Sequence, residues 1–292
     1  MDSITRLKCY SKSSLGVTIL WLCLHLCLEP SNAYPEGYRP DLNHKFPIFY
    51  SLDSILEVFE KERENEENRE KVDKLLDIYY NVCLFRKEPI ELEERRKPFI
   101  VIEGNYRHIR EAIGRHLEAR LGGKFLLVPP KCLANYTNLF EKRSTLRTAF
   151  FGLAAYVSAF NARHLLSLNQ TVFLNGYWTD QASFVISKRY LRHTDLPHKG
   201  DDVYKFPKDL MVPDLVFYVN YPFDRDNAPY TSPTPYYKPK KILIYQRFET
   251  PPIIEIDIRQ GFHNAVDQIQ EQIGLHLADK LDTSFSNFID TP

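Results

Sequence analysis

The stretch Ile100-Val-Ile-Glu-Gly-Asn-Tyr-Arg-His-Ile-Arg-Glu111 decides the fold, because an apolar run ends at a glycine and a helical pattern follows at once. Short apolar runs of this kind are typical of strands buried on both faces of a parallel sheet. From Pro98 onward they alternate with helical segments, so we predict an α/β, three-layer fold with a five-stranded parallel sheet. The predicted strands are Phe99 to Glu103, Phe125 to Val128, Thr171 to Leu174, Leu215 to Val219 and Ile253 to Ile256.

Helices are expected between these strands, and ligands at the carboxyl ends of the strands. The predicted helices start near Ile109 or cover Thr145 to Leu168, about Asp180 to Tyr190, and Asn264 to Leu281. Five prolines punctuate the segment from Tyr221 to Lys241. Because proline lacks an N–H and clashes inside a helix, this segment is predicted to be an extended surface loop.

A helical extension is predicted at residues 34–97, ahead of the domain at residues 98–292. Two amphipathic helices are indicated by apolar side chains repeating at i, i+3, i+4 and i+7. Their apolar positions are Leu52, Ile55, Leu56 and Phe59, then Val72, Leu75, Leu76 and Tyr79. The charged stretch from Glu60 to Lys71 is interpreted as a solvated face or connection, with partner binding as the alternative.

Composition excludes one class of partner. The chain has 292 residues, and its 38 Lys and Arg balance its 38 Asp and Glu. No basic block stands out, so nothing indicates an electrostatic surface for nucleic acid.

The amino terminus has the pattern of a secretory signal peptide, predicted at residues 1–33. Arg6, Lys8 and Lys12 precede an apolar run from Leu15 to Leu28, and small residues end at Ala33. The run is shorter than a membrane span requires, so we expect a secreted mature chain without a membrane span. A mitochondrial presequence is the alternative, although such presequences are amphipathic rather than uniformly apolar.

Two further features agree with secretion. N-glycosylation sequons begin at Asn135 and Asn169. The mature chain would keep Cys83 and Cys132, an even pair that suits an oxidising compartment. Either a disulfide joins them or they are two separate buried thiols, and the sequence leaves both open.

The turn after Gly104 lacks the residues of a phosphate loop. That loop has the form G-x-x-x-x-G-K-[ST], in which glycines expose backbone N–H groups, lysine bridges phosphates and the hydroxyl holds magnesium. Aligned from Gly104, the chain has Ile109, Arg110 and Glu111 at the last three positions. Ile109 adds a Cβ, Arg110 changes the shape of the charge, and Glu111 brings a negative charge to a helix amino terminus.

Several segments together resemble the thymidylate-kinase-like family, most closely its mitochondrial UMP-CMP kinase branch. The resemblance covers about Pro98 to the carboxyl terminus and rests on the order and spacing of short motifs. These are Val101-Ile-Glu-Gly104, Pro129-Pro-Lys-Cys132, Arg147-Thr-Ala-Phe-Phe-Gly-Leu153, Tyr177-Trp178, Val203-Tyr-Lys-Phe-Pro-Lys-Asp-Leu210, Pro213-Asp-Leu215 and Tyr245-Gln-Arg-Phe-Glu-Thr-Pro251. The resemblance implies a P-loop nucleoside-monophosphate-kinase-like fold and transfer of the γ-phosphoryl group of ATP, with magnesium, to a pyrimidine nucleoside monophosphate.

Three parts of that machinery depart from the family pattern. Besides the phosphate loop, the family's Asp-Arg-Tyr motif reads Asn175-Gly176-Tyr177 here, so its two charged members are missing. The family's lid supplies arginines that neutralise the transferring phosphoryl group, whereas the proline-rich loop holds only Arg225. Lys238, Lys240 and Lys241 could compensate, but lysine lacks the bidentate fork of arginine.

Alternatives at single positions remain open. Arg110 could replace the lysine, Glu103 or Asp180 could hold a metal, and His108 could donate to a phosphate. Arg147 resembles a family position near the monophosphate, but it could instead bridge its helix to an acidic neighbour. A glycan at Asn135 would crowd the acceptor cleft.

The sequence therefore favours a secreted, catalytically inactive nucleotide-kinase-like protein, without a cofactor, that binds an unidentified protein partner or has a structural role. The loop tyrosines Tyr230, Tyr236 and Tyr237 are the candidate contact surface. One alternative is a divergent mitochondrial kinase for UMP, CMP or dTMP that uses ATP and Mg. Another is an accessory subunit of a larger assembly.

Overall fold

A five-stranded, all-parallel sheet forms the centre of the protein in a computed structural model, which describes residues 46–84, 90–93, 95–220 and 237–281, with backbone alone at 237–239. Its strands are β1 (Phe99–Gly104), β2 (Lys124–Leu127), β3 (Val172–Asn175), β4 (Leu215–Asn220) and β5 (Ile253–Asp257). They are arranged in the order β2-β3-β1-β4-β5. The predicted fold class is confirmed, and every strand boundary lies within one residue of its prediction.

Helices cover both faces of the sheet. On one face lie α3 (Arg107–Leu121) and α8 (Phe262–Leu277), which pack on the even-numbered residues of β1. The other face carries α5 (Thr145–Ser167), α6 (Trp178–Arg189) and α7 (Tyr237–Tyr245), and α4 (Lys131–Ala134) is a single short turn after β2. Because alternate strand residues point to opposite faces, β1 is buried on both sides, as its continuous apolar run predicts.

The amino-terminal helices form an additional layer, outside the three layers of the α/β fold, and pack against α5. They are α1 (Leu52–Glu62), α2 (Glu66–Ile78) and a π-helical turn (Tyr79–Cys83). Ser51 and Asn65 cap α1 and α2 by accepting backbone N–H groups. One apolar cluster joins the buried Ile55 and Phe59 to Phe150 and Leu153 of α5. The extension therefore shares its core with the domain that follows.

The prediction of an extended surface loop is wrong for its last five residues. Residues 237–241 begin helix α7, although Pro239 lies among them. Proline is tolerated there because its missing N–H would have no helical acceptor in the first turn. The rest of that loop, with Arg225, Tyr230 and Tyr236, lies outside the described residues, as do the side chains of Tyr237 and Lys238.

A disulfide joins Cys83 at the end of the π-helical turn to Cys132 in α4. It ties the extension to the segment after β2, with Cα atoms 5.6 Å apart. Among the described helices, none combines the length and apolarity needed to cross a membrane. The predicted signal peptide at residues 1–33 lies outside the described part of the chain.

Candidate functional site

The turn between β1 and α3 is short and closed. Gly104 has φ +149°, and a Cβ at this position would overlap the carbonyl oxygen of Val219. Only Asn105 and Tyr106 separate it from the helix. The Asn105 amide accepts from the Tyr218 hydroxyl and donates to Asn220 Oδ1 at 3.2 Å. The backbone therefore turns directly into α3 where the sequence motif would require a longer phosphate-binding loop.

The residues that the sequence analysis aligned with a phosphate loop, Ile109, Arg110 and Glu111, lie on the first turns of α3. Ile109 is partly buried and packs against the apolar cluster on that face of the sheet. Glu111 accepts from Arg107 Nε at 2.7 Å, an i,i+4 pair along the helix. The His108 side chain is exposed, and its ring lies 5.7 Å from that of Tyr106.

Arg110 belongs to an ion-pair cluster at the carboxyl end of the sheet. Its guanidinium donates to Asp180 Oδ2 at 2.8 Å, and Lys241 Nζ donates to Asp180 Oδ1 at 3.0 Å. Asp180 lies in the first turn of α6, where the helix dipole also favours a negative charge. Burial alone would raise the pKa of Asp180, but Lys241 and Arg110 hold it well below its usual range. Both cations are therefore bound to the same carboxylate.

Glu103 at the end of β1 is fully buried beside this cluster. Its carboxyl accepts from the backbone N–H of Tyr177 at 2.9 Å and from the Tyr245 hydroxyl at 2.6 Å. The Thr179 hydroxyl lies 2.8 Å from both carboxyl oxygens. Burial and the nearby Asp180 raise the pKa of Glu103 to about 7. The side chain is thus enclosed by protein donors.

Asn175 ends β3, and Gly176 follows it beside the cluster. Asn175 is buried, and its Oδ1 has no hydrogen-bond partner among the described residues. Gly176 has φ +78°, and a Cβ there would lie 3.5 Å from the Arg110 guanidinium and 3.6 Å from Asp180 Oδ2. A larger residue would therefore enter the space next to the ion pairs.

Lys240 closes the other end of α6. Lys240 is 7% exposed, and its ammonium donates to the carbonyls of Ser187 at 2.7 Å and Tyr190 at 2.9 Å. Burial and Lys188 lower the pKa of Lys240. Lys240 and Lys241 contact opposite ends of α6, and each ammonium is bound by protein oxygens. Compensation for lid arginines by these lysines stays a possibility raised by the sequence alone.

The groove between α5 and α6 is filled by the amino-terminal segment. The carbonyl of Phe49 accepts from Trp178 Nε1 at 2.7 Å, and the carbonyl of Phe46 accepts from Arg189 at 3.0 Å. Ile55 Cδ1 lies 3.0 Å from where a Cβ on Gly152 would be. The remaining cavity measures about 10 Å³, at the lower limit for one water molecule.

Among the described residues, Arg147 forms no ion pair with an acidic neighbour. Its guanidinium donates to the carbonyls of Thr137 and Phe140, and it lies 5.4 Å from the Phe151 ring. It therefore braces the connection between α4 and α5. The sequon residues Asn135 and Asn169 are both exposed. Glycosylation at either of them stays a prediction.

No metal-binding arrangement is present in the described part of the chain: no group of three or more His, Cys, Asp or Glu side chains is positioned to hold an ion. Glu103 and Asp180, the two candidate ligands, lie in the same cluster but are bound by Tyr245, Thr179, Arg110 and Lys241. Sequence reasoning missed Tyr245 and Thr179 as partners of Glu103. Thr179 directly follows the motif Tyr177-Trp178, and Tyr245 is the first residue of the motif Tyr245-Gln-Arg-Phe, so both motifs were the available signal.

No protein-family model matches the sequence, and no curated protein matches it. Among solved structures, the chain is similar to thymidylate kinase from Candida albicans, with 16% sequence identity and a TM-score of 0.46. The similarity covers 63% of this chain and 94% of the kinase. At this identity and score it concerns the path of the backbone and carries no statement about activity.

Proposed function

We propose that the protein is a secreted, catalytically inactive nucleotide-kinase-like protein, nearest to the UMP-CMP kinase branch, whose domain has a binding or structural role. The proposal combines the degenerate motifs of the sequence with the ion pairs that the charged side chains form at the carboxyl end of the sheet. It assigns no cofactor and no chemical step to this chain.

The observation that carries the proposal is the ion-pair cluster of Arg110, Asp180 and Lys241. A phosphate bound at this edge needs cations that can accept a new negative charge. Here both cations are already engaged, at 2.8 and 3.0 Å, by the two oxygens of one carboxylate. An incoming phosphate would have to displace Asp180 or lie against it. Each such pair corresponds to about 4 kcal/mol of Coulomb energy at ~4 Å and an effective dielectric constant of ~20.

The filled groove between α5 and α6 supports the same conclusion. The resemblance puts a position near the monophosphate on α5, at Arg147, and that guanidinium is engaged with backbone carbonyls. Along the same helix, Phe49 and Ile55 cover Gly152. Opening this groove would expose apolar side chains of the shared core, and this exposure costs about 25 cal/mol of free energy for each Å² of apolar surface.

Export is supported by the signal-peptide pattern and by the Cys83–Cys132 disulfide. Disulfides form and persist in oxidising compartments and are rare in reducing ones. The partner is proposed to be a protein, and the loop tyrosines Tyr230, Tyr236 and Tyr237 remain the surface to test first.

Calorimetry with the purified full-length protein tests the loss of activity. Wild-type protein should show no binding of ATP with Mg²⁺ or of UMP, CMP or dTMP at millimolar concentration, and no turnover in a coupled assay. Asp180→Asn, which frees two cations, should gain measurable affinity for ATP. The matched control Asp267→Asn, which breaks the exposed pair with Arg120, should not. Turnover by wild type that Arg110→Ala abolishes would overturn the proposal in favour of the mitochondrial kinase.

Localisation tests export separately. Cells that express the full chain should release it into the medium in a form whose mass falls on glycosidase treatment. Asn135→Gln and Asn169→Gln should each remove one step of that mass change. Protein found only in mitochondria would contradict export, and co-purification with one stoichiometric intracellular partner would favour the accessory subunit.

A further inference from the structure

The connection between the extension and the sheet has an irregular backbone where it is described. Residues 84, 90–93 and 95–98 contain no helix or strand. This stretch links the π-helical turn, which ends at Cys83, to β1, which begins at Phe99. A serine protease binds its substrate as an extended strand, so a bond in such a stretch can be cleaved without unfolding a helix.

Two adjacent arginines in this connection have different surroundings. The Arg95 side chain is exposed. Arg96 donates to both carboxylate oxygens of Asp214, at 2.6 and 3.1 Å. Asp214 also accepts from the backbone N–H of Phe99 at 2.7 Å and from Lys280 at 2.6 Å. Hydrogen bonds to Asp214 therefore hold Arg96 and Phe99, whereas the Arg95 side chain is exposed to a protease in solution.

The two sides of the Arg95–Arg96 bond would stay together after a cut. Cys83 precedes this bond and Cys132 follows it, so the disulfide spans it. The apolar cluster that joins Ile55 and Phe59 to Phe150 also lies across it. Hydrolysis would open the covalent link between the two parts without separating them.

We propose that the Arg95–Arg96 peptide bond is a processing site for an arginine-specific, trypsin-like serine protease and that its product is a disulfide-linked two-chain protein. Arg95 would occupy the acidic pocket by which such proteases select a basic side chain. One water molecule is consumed as the C–N bond breaks, giving a carboxylate on Arg95 and an ammonium on Arg96. The guanidinium of Arg96 is bound to Asp214 at 2.6 Å, so the residue that carries the new ammonium is already held by the folded protein.

Neighbouring bonds are poorer substrates for reasons visible in the structure. Cleavage after Arg96 would require its guanidinium to leave Asp214. The bond after Lys97 precedes Pro98, whose nitrogen is tertiary and conformationally fixed. Arg69 is exposed but lies inside α2, so the backbone around it must first unfold.

The proposal relies on export only for contact with an extracellular protease, and the bond can be tested on purified protein whether or not the protein is secreted. The folded, oxidised full-length chain is treated with trypsin, and mass spectrometry follows the new amino terminus at Arg96 and the one at Glu70, which reports cleavage after Arg69. We expect the Arg96 terminus to appear at least ~100-fold faster, the ratio that a local opening of about 3 kcal/mol in α2 would impose.

Variants and gels complete the test. Arg95→Gln should abolish the Arg96 terminus, whereas the control Arg69→Gln should leave its rate unchanged. The fragment that contains Cys83 should migrate with the rest of the protein on a non-reducing gel and separate after reduction. Equal rates at the two bonds, or a fragment that separates without reduction, would overturn the proposal.

Discussion

Replacing Asp180 by asparagine tests whether the ion-pair cluster holds the carboxyl end of the sheet together. The substitution keeps the shape of the side chain but leaves Arg110 and Lys241 facing a neutral amide. Both cations are largely buried, with side-chain exposures of 12% and 19%. Removing one partner of a buried pair costs about 3–5 kcal/mol, because the remaining charge is left uncompensated.

Two effects reduce that figure here. The Asp180 side chain is itself 27% exposed, so water screens part of the interaction. Asp180 also repels Glu103, and this repulsion disappears in the variant. We therefore expect a loss of about 2–3 kcal/mol in the free energy of unfolding at pH 7.

Urea unfolding followed by circular dichroism measures this loss. With an m-value of about 2–3 kcal/mol per molar, the midpoint should fall by about 1 M. The control Asp267→Asn removes a pair whose side chains are 38% and 62% exposed, and it should cost less than about 0.5 kcal/mol. Added phosphate should raise the midpoint of Asp180→Asn and leave wild type unchanged. Equal midpoints for the two variants would refute the assignment of Asp180 as the organising charge.

Three further predictions concern neighbouring features. First, the pKa of Glu103 is raised from 4.5 to about 7. Its contribution to the free energy of unfolding is therefore fully present below pH 4.5 and is lost as the pH rises through 7. The free energy of unfolding, measured with urea from pH 5 to 8, should therefore fall in wild type by about 3 kcal/mol at most. It should change less with pH in Glu103→Gln, and parallel curves for the two proteins would contradict this. Second, Gly104→Ala should lower the melting temperature far more than Gly200→Ala, because a Cβ at residue 104 meets Val219 whereas residue 200 faces open space. Differential scanning calorimetry measures both, and similar losses would argue against the tight turn. Third, the paired change of Cys83 and Cys132 to serine should cost about 4 kcal/mol for a loop of 49 residues, measured by urea unfolding of folded variant against wild type. A loss below about 1 kcal/mol would indicate that the bond does not constrain the unfolded chain.

The strands were predictable because their signal is local. Each is a short apolar run, and burial on both faces of a parallel sheet requires little else. The helix α7 was missed for an equally local reason, since prolines dominate the segment before it and only the position of Pro239 within the first turn makes that residue compatible with a helix. Pattern alone does not show where a helix begins.

The site was predictable only in part. The sequence shows that Ile109, Glu111 and Asn175 do not fit the motifs of the resembled family, but it does not show which contacts the neighbouring charges make. Lys241 reaches Asp180 across 61 positions of sequence, and Tyr245 reaches Glu103 across 142. Contacts at such separations depend on how helices pack on the sheet, which residue spacing does not encode. The same holds for Phe49, which contacts Trp178 from outside the domain predicted at residues 98–292.

The shared carboxylate of Asp180 also makes the proposed loss of chemistry hard to reverse one substitution at a time. An acidic residue in place of Asn175 would add a third carboxylate at the end of the sheet that holds Asp180 and the buried Glu103, where Arg110 and Lys241 already bind Asp180. Removing Asp180 first would leave Arg110 and Lys241 repelling each other before any nucleotide could bind. Each of these two single substitutions would therefore lower the stability of the protein, so the ion-pair cluster disfavours evolution toward a phosphate site by single changes.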